Sequence, residues 1–78
     1  MTNSMIQDLK EEINFLRSQV VYLVNSGNEK KKGREYAIRL GRLTEQIETD
    51  IGFDANEKEQ NLFDWAYGNW RMANDKFK

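Results

Sequence analysis

Seventy-eight residues without a single cysteine or histidine exclude a disulfide framework, a thiolate metal site and the commonest general base. A chain of this length is one domain, residues 1–78, whose single core yields only a few kcal/mol, and oligomerisation is a common remedy at that size. The net charge of −1 hides a basic block at residues 29–42 (+4) and an acidic block at residues 43–64 (−6), which can match each other between neighbouring helices or subunits.

The N-terminus, MTNSMIQDLK, lacks the basic flank and apolar run of a signal peptide, and no apolar stretch approaches the roughly 20 residues of a membrane span. A soluble, cytoplasmic protein without membrane contact is expected. Ser4 followed by Gln7 is a capping-box pattern, and Gly27 suits a helix end, so a first helix is expected over residues 4–25. Within it Ile6, Leu9, Ile13, Leu16, Val20 and Leu23 recur at spacings of 3, 4, 3, 4 and 3. This is a heptad seam with β-branched residues at a and leucine at d, the arrangement that favours parallel dimers. Glu12 at g and Arg17 at e are spaced for an interchain ion pair. The seam can pack within the chain's own bundle, between chains, or both.

Gly27-Asn28 and Gly33 bracket the polar run Glu29-Lys30-Lys31-Lys32, read as a loop or a weak helical turn from Asn28. Tyr36, Leu40, Leu43, Ile47 and Ile51 then recur every three or four residues and predict a second helix over residues 34–51, stopped by Gly52. The first two helices would form a hairpin. Arg39 and Arg42 lie three apart on one side of the second helix and extend the lysine cluster into a basic patch.

Asp54 and Glu57 give a second capping-box pattern, with a third helix over residues 55–76. At 100° per residue Leu62, Phe63, Ala66, Tyr67, Trp70, Ala73 and Phe77 form one apolar arc, the expected core face. Trp65 and Met72 fall on the opposite, wet side with Asn61 and Asn69 nearby, which marks Trp65, Met72 and Asn69 as a candidate partner-binding surface. Gly68, in mid-helix, costs about 1 kcal/mol relative to alanine, and a close approach there would account for it. The fold expected is all-α, a hairpin plus an aromatic C-terminal helix, assembled into an oligomeric bundle.

No catalytic constellation emerges. Ser4, Ser18 and Ser26 have no histidine to act as base, and Glu45, Glu48, Asp50 and Asp54 read as a solvated acidic face before a Mg²⁺ site. The run Lys30-Lys31-Lys32-Gly33-Arg34-Glu35-Tyr36 holds the cations and the aromatic face that phosphate and base recognition require, but it lacks P-loop spacing. With Arg39 and Arg42 it forms a candidate site for a small anionic nucleotide. Overall acidity argues against duplex nucleic acid.

Met5-Ile6, Leu9, Ile13, Arg17, Leu23-Val24 and Gly27 resemble the opening rhythm of the small two-helix aspartyl-phosphate phosphatases that act on sporulation phosphorelays. That family's Ser-Gln-Glu-Leu-Asp signature has no counterpart in Leu40-Gly41-Arg42-Leu43-Thr44-Glu45, so no phosphatase residue carries over. Helical phage proteins that sequester cyclic oligonucleotide alarms are similar in size, helix count and expected oligomerisation. The function expected is non-enzymatic and without cofactor or metal. It is that of a homo-oligomeric regulatory or inhibitory protein, of the kind carried by phages and mobile elements, occupying a host protein. A sponge for an anionic signalling nucleotide is the alternative, and a coiled-coil assembly or chaperone protein the third reading.

Overall fold

The computed structural model describes residues 1–27 and 30–77, which form three helices: α1 (Asn3–Ser26), α2 (Lys30–Ile51) and α3 (Glu57–Lys76). The all-α architecture follows the predicted apolar periodicity, but the helix starts are set by different residues from those expected. Thr2, not Ser4, caps α1, its Oγ1 accepting from the Met5 amide at 3.2 Å, which leaves Ser4 inside the first turn. Gly27 closes the helix with φ 80°, its N–H donating to the Leu23 carbonyl at 3.0 Å. The turn expected at Asn28 and Glu29 lies outside the described residues. Lys30, Lys31 and Lys32 already belong to α2, because lysine is a good helix former and one glycine is too weak a breaker to delay the start to residue 34. Gly52, at φ 61°, ends α2.

For α3 the capping box is Asn56–Glu59 instead of Asp54–Glu57. Asn56 Oδ1 accepts from the Glu59 amide at 2.8 Å, and Glu59 Oε1 accepts from the Asn56 amide at 3.1 Å. A tertiary contact favours the observed box. Glu59 also takes the Met1 α-ammonium on Oε2 at 2.9 Å, and it is only 7% exposed, so the box ties the start of α3 to the start of α1. A buried carboxylate needs such partners.

Three pairings fix the topology. Met1 meets Glu59, Gly33 lies beneath the Phe77 ring, and Gly41 beneath the Trp70 indole. Helix α3 therefore runs parallel to α1 and antiparallel to α2, lying in the furrow between them. The heptad seam is consumed there: Ile6, Ile13, Leu16, Val20 and Leu23 are buried and Leu9 is half-buried. Burying each such side chain contributes about 1.5–3 kcal/mol. Opposite them come Ala37, Leu40 and Ile47 of α2 and Leu62, Ala66, Ala73 and Phe77 around α3.

The α2–α3 contact is close because α2 presents small residues to it. Gly33, Ala37, Gly41 and Thr44 recur along one side of the helix, and the last disposes of its buried hydroxyl by donating to the Leu40 carbonyl at 2.8 Å. A Cβ on Gly33 would overlap the Phe77 ring, and one on Gly41 would sit 2.8 Å from Trp70 Nε1. Among the described residues nothing lies within 4 Å of a Cβ built on Gly68, so no close approach is made there within the chain. Among the described residues no helix is long and apolar enough to cross a membrane.

Candidate functional site

A helix lying between two others is dry over more than half of its circumference, and this changes the placement of the α3 aromatics. The fully covered stripe is Glu59, Leu62, Ala66, Asn69 and Ala73, with a half-buried flank on each side. One flank carries Trp65 and Met72. They are partly buried against the core, where an exposed face was expected, because α1 shelters them. Asn69 is buried, and its Nδ2 donates to the Trp65 carbonyl one turn earlier at 2.8 Å. The other flank carries Phe63, Tyr67 and Trp70. Tyr67, expected in the core, is 41% exposed; it stacks on Phe63 at 6.0 Å between ring centroids, tilts against Trp70 at 5.7 Å, and carries the Arg71 guanidinium 5.9 Å from its centroid.

Between α1 and α3 the Trp65 flank opens into two hollows. One, of about 360 Å³, is bounded by Arg17, Asp64, Trp65, Gly68, Asn69 and Met72. The other, of about 400 Å³, is bounded by Gln7, Lys10, Asn14, Asn61 and Trp65. Trp65 separates them, and the open space over Gly68 lies beside it. The α1 wall is one stripe, Gln7, Lys10, Asn14 and Arg17, at spacings of 3, 4 and 3, so it runs parallel to the buried seam one step round the helix. Val21 and Val24 continue the same stripe and are exposed. Amide side chains, two cations (Lys10 and Arg17), the Asp64 carboxylate and a half-buried indole give this furrow the mixed lining of a protein-binding patch.

A second groove, of about 420 Å³, lies between α2 and α3 and is lined by Ile38, Gly41, Arg42, Glu45, Tyr67 and Trp70 among others. Of its lining residues only Arg42 was a ligand-binding candidate by sequence; Tyr67 and Trp70 were expected in the core and Glu45 and Glu48 on a solvated face. Its floor depends on Gly41 meeting Trp70 across two helices, a register that spacing along one helix does not reveal.

The basic candidates do not converge. Lys30, Lys31, Lys32, Arg34, Arg39 and Arg42 are all exposed, whereas Tyr36 is half-buried against the core. Arg34 is engaged, its Nε donating to the Phe77 carbonyl at 3.1 Å, where it serves the end of α3 with a positive charge. Arg42 reaches the α2–α3 groove. At 3.6 residues per turn Lys32, Arg39 and Tyr36 fall on the opposite flank of α2 from Arg34.

Among the described residues no group of three or more acidic side chains is placed to hold a metal ion, so Glu45, Glu48, Asp50 and Asp54 form no such cluster. Glu59 is a titratable group whose surroundings displace its pKa. The Asn56 amide holds its pKa below the usual 4.5, the hydrogen bond and positive charge of the Met1 ammonium act in the same direction, and burial partly opposes them. Glu59 lies at the helix-start junction, away from both hollows, and is a structural group.

Compared with protein-family models, with curated proteins and with solved structures, the chain matches none.

Proposed function

We propose that the protein is a small, non-enzymatic regulatory or inhibitory protein of the cytoplasm that binds a host protein stoichiometrically through the α1–α3 furrow around Trp65. The observation that carries this reading is the empty place over Gly68. A glycine inside a helix costs about 1 kcal/mol, and among the described residues no packing neighbour comes close enough to require one. The missing side chain leaves room beside Trp65, Asn69 and Met72, where an apolar side chain of a partner can enter. Tryptophan anchors of this kind, half-buried beforehand and rimmed by amides and charges, are where interfaces concentrate their binding energy. Asn69, locked to the Trp65 backbone, acts as a support for the anchor.

The nucleotide-sponge reading has less to recommend it, because Arg34 is already engaged and Tyr36 is half-buried.

Quantitative affinity capture from host extract tests the proposal with three variants compared to the wild type. Gly68→Leu fills the hollow, Trp65→Gln removes the anchor, and Phe53→Ser alters a fully exposed residue in the α2–α3 connection. A host protein retained by the wild type and by Phe53→Ser, but lost from Gly68→Leu and Trp65→Gln while all chains stay helical, is the expected result. Identical recoveries from all four overturn it.

A further inference from the structure

The heptad seam is buried within the chain, so any assembly must use another surface, and the outer face of α2 carries a pattern suited to one. Lys31, Glu35, Ile38, Arg42 and Glu45 recur at spacings of 4, 3, 4 and 3, which places them on one side of the helix. All five are exposed, Ile38 by 54%. Their charges read positive, negative, neutral, positive, negative. Reversed, every sign changes, and Ile38 is the centre of the inversion.

We propose that two copies of this chain pair antiparallel through α2, with Ile38 on the two-fold axis. In that arrangement Lys31 faces the partner's Glu45, Glu35 faces the partner's Arg42, and the two-fold repeats both pairs on the other side of an Ile38–Ile38 contact. Parallel pairing would set like charges against each other at all four positions, so the pattern selects orientation as e and g charges do in coiled coils. These side chains are free to act between copies: among the described residues none of the four is ion-paired within its own chain, where the ion pair seen is Met1 with Glu59. Lys31 and Glu45 are 14 positions apart, about 21 Å along the helix, too far to satisfy each other in one chain.

The neighbouring apolar surface fits a second copy as well. Ile38 and Trp70 both border the α2–α3 groove and the smaller hollow next to it, and Tyr67 is 41% exposed at the same groove. A helix laid along α2 covers this rim together with Ile38. The α1–α3 furrow stays open in such a dimer, so each copy keeps its own Trp65 site.

Sedimentation equilibrium of the full chain over a range of concentrations, with circular dichroism as a check of folding, tests the pairing. The wild type is expected to dimerise, and Ile38→Lys to be a helical monomer. Lys31→Glu alone, or Glu45→Lys alone, sets like charges together at two symmetric positions and weakens the dimer by about tenfold, as replacing two modest ion pairs by two repulsions implies. The double variant, Lys31→Glu with Glu45→Lys, sets opposite charges facing again and returns the dissociation constant to within about threefold of wild type. Only antiparallel pairing between copies gives that recovery. A wild type that is monomeric at every concentration, single changes without effect, or a double variant no better than the singles would each overturn the proposal.

Discussion

The Trp70 indole lies against the backbone of Gly41, so that a methyl group on that residue would meet Nε1 at 2.8 Å. Two helices are held this close only because one supplies no side chain. Gly41→Ala gains about 1 kcal/mol of helix propensity and incurs overpacking worth about 1–3 kcal/mol. A net loss of about 1 kcal/mol is expected in urea unfolding. Gly33→Ala should lose more, because the obstruction there is the body of the Phe77 ring at the end of α3 that Arg34 also holds.

Gly68→Ala should do the opposite. Its Cβ meets nothing, so the propensity gain of about 0.5–1 kcal/mol stands unopposed, and the melting temperature should rise by several degrees. A fall in stability would mean that the backbone at Gly68 is doing something in the fold that its surroundings do not show.

Loss of the α3 cap separates the two capping boxes drawn from the same stretch. Asn56→Ala removes the acceptor for the Glu59 amide and should cost about 1 kcal/mol. Asp54→Ala, outside the box, should change stability by less than about 0.5 kcal/mol. Equal effects in chemical denaturation would show that the helix start is shared between the two sites.

Acid should weaken the fold through Glu59. Its folded-state pKa lies below the usual 4.5, so the unfolded chain takes up the proton first on acidification. The stabilisation is therefore fully present above that value and is lost as pH falls through the lower, folded-state one. Glu59→Gln keeps a side-chain acceptor for the cap but has no charge to titrate. Its stability should vary less with pH across the same acidic range, and an unchanged profile would place the acid sensitivity elsewhere.

What was legible in the sequence was whatever a single helix encodes. The α1 seam from Ile6 to Leu23, the ends at Gly27 and Gly52, and the buried positions Leu40 and Ile47 of α2 and Leu62, Ala66 and Ala73 of α3 need only spacing and backbone chemistry. The starts of α1 and α3 were misplaced by one or two residues, because Thr2 and Ser4, or Asp54 and Asn56, offer nearly equivalent caps. The choice of Asn56 is helped by an ammonium group 58 positions away from Glu59. Trp65, Met72 and Tyr67 were misjudged for a related reason. A helical projection gives an angle but not the positions of neighbouring helices, and α3 has two of them. Trp65 could be singled out by residue type and angle, whereas Gly68 acquires meaning only when nothing is found above it, and the Gly41–Trp70 floor only when two helices are in register.

The five-residue separation of Trp65 and Trp70 places the two indoles about 140° apart around α3, one at each groove. The chain thus carries a separate optical reporter for each surface. With Trp70→Phe, the remaining emission should shift when the α1–α3 furrow is occupied and stay constant on dilution. With Trp65→Phe, it should follow dilution and ignore the partner, so the two proposed binding events can be tested one at a time in an unlabelled protein.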